Sequence, residues 1–331
     1  MLEGLFSRKG ARLAIASSFA LPALLLTQQT ASTAEELESP VESQRVTIQF
    51  AGTVGDDSFA CGETYRLGAA DSPVTPLDFR LYVSEVALID AAGEAVPLVL
   101  EQDGQWQHQN VALLDFEDKT GGCVNGTTDT RSQVVGAVPA GEYSGLRFTV
   151  GVPFALNHID STLAPSPLNL TSMWWNWNFG YKFVRLDFDA VADVASANLT
   201  GPQDTSAKRE VDTASGETGD GTDNGETARS QAFSIHIGSV GCQMDSAQAP
   251  VRCAQPNQAE VVLTGFDPTQ DVVVADLAAL LADTNLSENQ PDTAVGCMSS
   301  PEDSDCSGIM QNLGLPFQEE PAGEQTFFSI Q

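Results

Sequence analysis

Short segments in which apolar and polar residues alternate recur along the whole chain, and this period of two constrains the fold more than any other feature. In 46–50, Val46, Ile48 and Phe50 share one phase while Thr47 and Gln49 take the other; 79–83, 146–150 and 183–188 repeat the pattern. A period of two places one set of side chains on each face of a strand, so each segment reads as a strand with one buried face. Further strands are expected at 84–89, 111–114, 233–237, 260–263 and 272–275, with turn signals at Ala92-Gly93, Asp103-Gly104 and Pro139-Ala140-Gly141. Helical signals are confined to 276–282 and 307–313. Many short strands between turns, with so little helix, imply an all-β protein, an antiparallel β-sandwich with disulfide-stapled loops.

The start of the chain sets the expected compartment. Arg8, Lys9 and Arg12 precede an apolar run at 13–26, which gives way to the small residues Ala31, Ser32, Thr33 and Ala34. This is the pattern of a secretory signal peptide, 1–34, cleaved after Ala34. The apolar run is short and interrupted by serine, a poor match to roughly 30 Å of hydrocarbon. The expected location is therefore the periplasm, or the cell surface or exterior of a bacterium. Residues 35–44 read as a flexible acidic leader, 45–318 as the folded domain and 319–331 as a C-terminal tail. Within the domain, 200–230 is nearly devoid of apolar residues and rich in Gly, Thr, Asp and Glu, and is expected to be a disordered acidic insertion. Residues 282–292 form a second stretch of low expected order.

Six cysteines follow the leader: Cys61, Cys123, Cys242, Cys253, Cys297 and Cys306. An even number in an oxidising compartment implies three disulfides. Spacing does not fix the connectivity, but the short separations suggest Cys242 with Cys253 and Cys297 with Cys306, leaving Cys61 for Cys123. No Cys-x-x-Cys pair is present to suggest a structural zinc site. The formal net charge is −30, and without the first 34 residues 12 basic side chains face 44 acidic ones. Such a surface repels nucleic acid and keeps a protein soluble, but it says little about chemistry.

Histidine is scarce, with only His108, His158 and His236. Trp106 and His108 are two residues apart, so a strand there turns both to one face. His158 follows Gly151-Val152-Pro153-Phe154, where a strand enters a loop, and His236 lies within an expected strand. Neutral imidazoles without thiolates suit copper outside the cytoplasm. Three of the four tryptophans, Trp174, Trp175 and Trp177, crowd into four positions, as a core cluster, a carbohydrate platform or a redox-active group would. No Gly-x-Ser-x-Gly, phosphate-binding loop or His-Glu-x-x-His motif occurs, and the chain is not expected to be an enzyme.

Taken in order, several segments resemble the MbnP-like family, the methanobactin-associated copper-binding proteins also described as four-Cys partners of a metallo-mystery pair. They are 111–117, Gly151-Val152-Pro153-Phe154 with Leu156-Asn157-His158, Pro167-Leu168-Asn169, Met173-Trp174 with Trp177, Gly180-Tyr181-Lys182-Phe183, and Gly238-Ser239 with Gly241-Cys242. The resemblance spans roughly 47–315. It implies an exported copper-binding β-sandwich, paired with a di-haem protein related to bacterial cytochrome c peroxidases (MbnH-like). It also implies histidine ligands for Cu(I) beside a tryptophan oxidised to kynurenine, with Cys242, Cys253, Cys297 and Cys306 as the family's C-terminal cysteines. On this basis His108 and His158 are the expected ligands with His236 in reserve, and Trp106 is the expected modified tryptophan, with Trp177 and Trp174 as competitors. The role would be copper acquisition or storage. A sandwich module that binds carbohydrate or a surface through 174–177 is the alternative.

Overall fold

Strand Ser43–Val54 shows how the alternation is used, because Val46, Ile48 and Phe50 are buried while Thr47 and Gln49 are not. The computed structural model describes residues 42–176, 178–191 and 230–331. In its first sheet, Ser43–Val54 pairs antiparallel with Gln133–Pro139 and parallel with Val272–Asp276, which pairs in turn with Phe328–Ile330. The second sheet runs in the order Ala259–Thr264, Tyr143–Val150, Ser72–Asp90, Val184–Val191, Ser230–Ile237 and Gly296–Cys297, the last pair again parallel. The sandwich is therefore all-β as expected, but its sheets are mixed: two parallel pairings join strands far apart in sequence.

The facing sides of the sheets make one core. Phe148 from the second sheet meets Phe50 at 5.7 Å and Phe328 at 5.1 Å between ring centroids, both edge to face. Burial of each such side chain stabilises by roughly 1.5–3 kcal/mol. The strand Ser72–Asp90 is 19 residues long and merges the segments expected at 79–83 and 84–89. The irregularity between them falls at Glu85, exposed at a φ of 53°, where the ladder with Tyr143–Val150 also slips. A bulge keeps one strand going while changing its phase.

Strand Val111–Asp115 has every residue buried, which a two-layer sandwich does not require. Ala112 and Leu114 join the main core, whereas Val111 and Leu113 join a second cluster with Tyr82, Val152, Leu168, Met173, Tyr181 and Phe183. Around Tyr82, Val111 and Leu113 both faces of the second sheet are thus covered, the outer one by a third layer built from 152–183. That layer holds helix Phe154–Asn157, a 3-10 turn at Thr171–Met173 and a small ribbon of Trp174–Asn176 with Gly180–Tyr181. Tyr82 pins the layer by donating its hydroxyl to the carbonyl of Pro167 at 2.9 Å.

The three disulfides join Cys61 to Cys123, Cys242 to Cys253 and Cys297 to Cys306. The short helical stretches materialise as Leu277–Leu281, capped by the Asp276 carboxylate, and Ser307–Asn312. Two boundaries differ from expectation. The first strand begins at Ser43, inside the expected leader, because Ser43 and Gln44 already pair with Pro139 and Val138. The expected C-terminal tail ends in a strand, since Phe327 and Phe328 are buried and 328–330 complete the first sheet. The stretch at 282–292 lacks regular structure but is tied down, with the Gln290 N–H donating to Asp305 at 2.9 Å and the Gly296 N–H to Asn289 at 2.8 Å. The expected signal peptide and nearly all of the expected acidic insertion lie outside the described residues. No helix among the described residues is long and apolar enough to cross a membrane.

Candidate functional site

Two residues singled out by the sequence, Trp106 and Trp174, pack against the second cluster. Asp103 sets the local geometry of 103–108, its carboxylate accepting from the N–H groups of Gln105, Trp106 and Gln107 at 2.7–3.0 Å. Although burial acts to raise it, these three backbone donors hold the Asp103 carboxyl below its ordinary range. The turn delivers strand Gln107–His108, in which Gln107 points inward, exchanges hydrogen bonds with Val135 and donates to the Glu101 carbonyl, all at 2.7–2.8 Å. By alternation Trp106 and His108 take the opposite side. Trp106 packs half-buried against the second cluster; the His108 imidazole is also half-buried, with Nε2 at 3.3 Å from the Gln109 amide.

His158 reaches the same cluster from the third layer. It caps helix Phe154–Asn157, and its neighbours Leu156 and Ile159 pack into the cluster that receives Trp106. Its ring lies 4.8 Å from that of Phe154, and Nε2 lies 3.3 Å from the Asn157 amide nitrogen and 3.6 Å from Cys253 Sγ. Asn157, buried, is the fixing residue. Its Oδ1 accepts the Tyr181 N–H at 2.8 Å, and Gly180, at a φ of 79°, presses so close that an added Cβ would sit 2.3 Å from the Asn157 carbonyl oxygen. The helix end and the aromatic ribbon are thereby locked together.

In the aromatic segment Trp174 and Trp175 are half-buried and Phe179 is exposed. Trp174 packs half-buried against the second cluster, its indole nitrogen buried and unpartnered, and Trp175 lies over Gly238 and edge to face with Phe179 at 6.2 Å. Trp177 lies outside the described residues.

His236 stands elsewhere, in a feature the sequence reading missed. Cross-strand register aligns Asp115, Arg80, Arg185 and His236 across four adjacent strands, with Asp78 beside Asp187 in the next row. Arg80 forms a two-pronged ion pair with Asp78, both almost fully buried, and Arg185 bridges Asp78 at 3.1 Å and Asp187 at 2.8 Å. The turn at Thr171–Met173 covers the row: the Ser172 carbonyl accepts from Lys182 Nζ at 2.9 Å and from Arg185 at 3.1 Å. His236 Nε2 lies 2.9 Å from Asp187. Burial pushes the His236 imidazole down against the pull of Asp187. Asp187, which burial alone would raise, is held well below the usual carboxylate range by His236 and Arg185. His236 and Asp187 are thereby held together as a hydrogen-bonded pair. The signal was present in the sequence as Asp78-x-Arg80, Asp115-x-Glu117 and Arg185-x-Asp187, charges at period two in phase against the apolar positions.

Among the described residues the three imidazoles do not form a set with nitrogens within 4.8 Å of one another; His158 with Cys242 and Cys253 does form such a group. Two surface clefts, of about 380 and 230 Å³, are lined by none of the histidines.

His108 and His158 are both half-buried, and the chain neighbours of each pack on one apolar cluster of a disulfide-braced β-sandwich. The MbnP family profile matches residues 43–299, and the chain belongs to that family. Among solved structures, MbnP from Methylosinus trichosporium aligns with a TM-score of 0.68 at 28% identity, covering 88% of this chain and 99% of that one. No curated protein matches at the sequence level.

Proposed function

We propose that this protein binds Cu(I) through His108 and His158 outside the cytoplasm, beside Trp106, and serves copper acquisition or storage. The observation that carries the reading is the shared cluster. Trp106, two residues before His108, and Leu156 and Ile159, on either side of His158, pack into one apolar group. The donor chemistry fits: neutral imidazoles are good ligands for copper, and an apolar margin favours a low-coordinate monovalent ion over a hydrated divalent one. His236 is left out of the ligand set, because its Nε2 is engaged with Asp187.

Copper bound there would supply the metal cargo. The chain's own residues orient it, Asp103 and Gln107 setting the position of His108 and Asn157 that of His158. Titration of the metal-free protein with Cu(I) is expected to show binding weakened about tenfold or more by His108→Ala and by His158→Ala. His236→Ala should leave binding near that of the parent. If neither of the first two substitutions weakens binding, the copper reading fails.

The second part of the proposal is that a di-haem partner related to cytochrome c peroxidases oxidises Trp106 to kynurenine. Cleavage of the indole C2–C3 bond takes up two oxygen atoms from two peroxide equivalents, which leave as water; hydrolysis of the formyl group then releases formate. The Trp106 peptide from the native host should be heavier by about 4 Da, a side-chain oxidation readable by mass spectrometry like that of other residues. An unmodified Trp106 in protein that has met its partner sinks this part alone.

A further inference from the structure

The Cys242–Cys253 disulfide differs from the other two in both place and company. Cys61, Cys123, Cys297 and Cys306 are at most 3% exposed, whereas Cys242 and Cys253 are half-buried. They are direct cross-strand partners in the ribbon of Val240–Met244 and Pro250–Gln255, which belongs to neither large sheet. Their bond closes a short loop, 11 residues in sequence, whose strands are already held by a ladder. Opening this bond therefore releases little chain, and a reagent in solvent can reach it before the others.

The neighbour is His158. Its Nε2 and both sulfurs lie within 4.8 Å of one another, with Nε2 to Cys253 Sγ at 3.6 Å. A tetrahedral ion bound to one thiolate and one imidazole separates sulfur from nitrogen by roughly 3.5 Å. The Asn157 amide, a donor, stands 3.3 Å from the same nitrogen, which favours its lone-pair form. The Cys61–Cys123 bond also has a ligand-type neighbour, Glu117, but all three residues are buried and out of reach.

We infer that reduction of Cys242–Cys253 creates a soft-metal site of two thiolates and His158, with a fourth position open. An external dithiol delivers two electrons and two protons: the S–S bond breaks, two S–H groups form, and the dithiol leaves as its own disulfide. A soft divalent or monovalent ion then displaces both thiol protons and takes His158 as third ligand. The oxidised protein lacks this site, so metal retention there follows the redox state of the surroundings. The inference needs neither His108 nor Trp106 and shares only His158 with the proposed copper site.

The test uses the whole protein, a mild dithiol and cadmium ion alone. Thiol labelling with peptide mapping should find Cys242 and Cys253 opened first; six cysteines labelling together would overturn the inference. Reduced protein should then take up a single cadmium ion with a thiolate charge-transfer band that the oxidised protein lacks. His158→Ala should keep both thiols and its circular dichroism yet bind about tenfold or more weakly. Equal binding by that variant, or no band in the reduced parent, refutes the site. The double variant Cys242→Ser, Cys253→Ser should lose the cadmium signal but still bind Cu(I), so failure of this inference and failure of the copper reading are told apart.

Discussion

At the scale of single residues, the buried charges on the second sheet give the protein its most specific pH behaviour. Burial raises the Asp115 carboxyl to about 8, with Arg80 opposing and Glu117 and Asp78 adding to the rise. One of its oxygens is buried without a hydrogen-bond partner. A group whose folded pKa lies above its unfolded one stabilises most below the unfolded value, about pH 4, and that stability is lost as pH rises toward 8. Melting temperatures recorded across this range should therefore fall more steeply for the parent than for Asp115→Asn; coincident slopes would remove Asp115 as the cause. Asp187 works in the opposite direction. Its depressed pKa contributes stability above about pH 4 that disappears as pH falls through the folded value, so Asp187→Asn should lessen acid sensitivity while weakening the protein at neutral pH. None of this was legible as a site, because in a chain with 45 acidic residues no single carboxylate stands out until cross-strand register sets it against Arg80, Arg185 or His236.

At the scale of elements, the third layer depends on a few contacts between short pieces. Helix Phe154–Asn157 has four residues and the ribbon strands three and two, lengths that do not persist alone in water. Asn157, Gly180 and Gly238 hold them together, and Gly180 has the narrowest tolerance. Gly180→Ala combines a positive φ with a Cβ inside contact distance of the Asn157 backbone, and should lower stability by about 2 kcal/mol or more in urea unfolding. It should also weaken Cu(I) binding, since Asn157 adjoins His158. An unchanged unfolding midpoint would mean the ribbon is not locked as described. Most long main-sheet strands, by contrast, were readable in part from alternation, because a two-period pattern has one structural meaning once a face is buried, although Gln133–Pro139 was missed. The third layer has no such period; composition singled out His158 and the tryptophan cluster within it, but nothing in the sequence showed that they form a layer.

At the scale of the whole molecule, the chain closes on itself through its far end. Phe328–Ile330 completes the sheet begun by Ser43–Val54, while Phe327 is fully buried with its ring 6.4 Å from that of Phe79 and Phe328 packs on Phe148. Phe327→Ala should destabilise by about 3–5 kcal/mol, and loss of 326–331 by more, both measurable by denaturant unfolding. Insensitivity to either would show that the end is an appendage. The sequence by itself determined the strand-rich class and the short list of scarce histidines and clustered tryptophans, and its spacing suggested the disulfide pairing, because periodicity, loop length and composition are local properties. Only the tertiary structure decided that one end of the chain is a strand and not a tail, and that the outer face of the second sheet is covered. It alone placed His158 against a disulfide and His236 against Asp187. Those outcomes depend on which distant segments share a face, and contacts between residues 49 to 95 apart leave no mark in either segment alone.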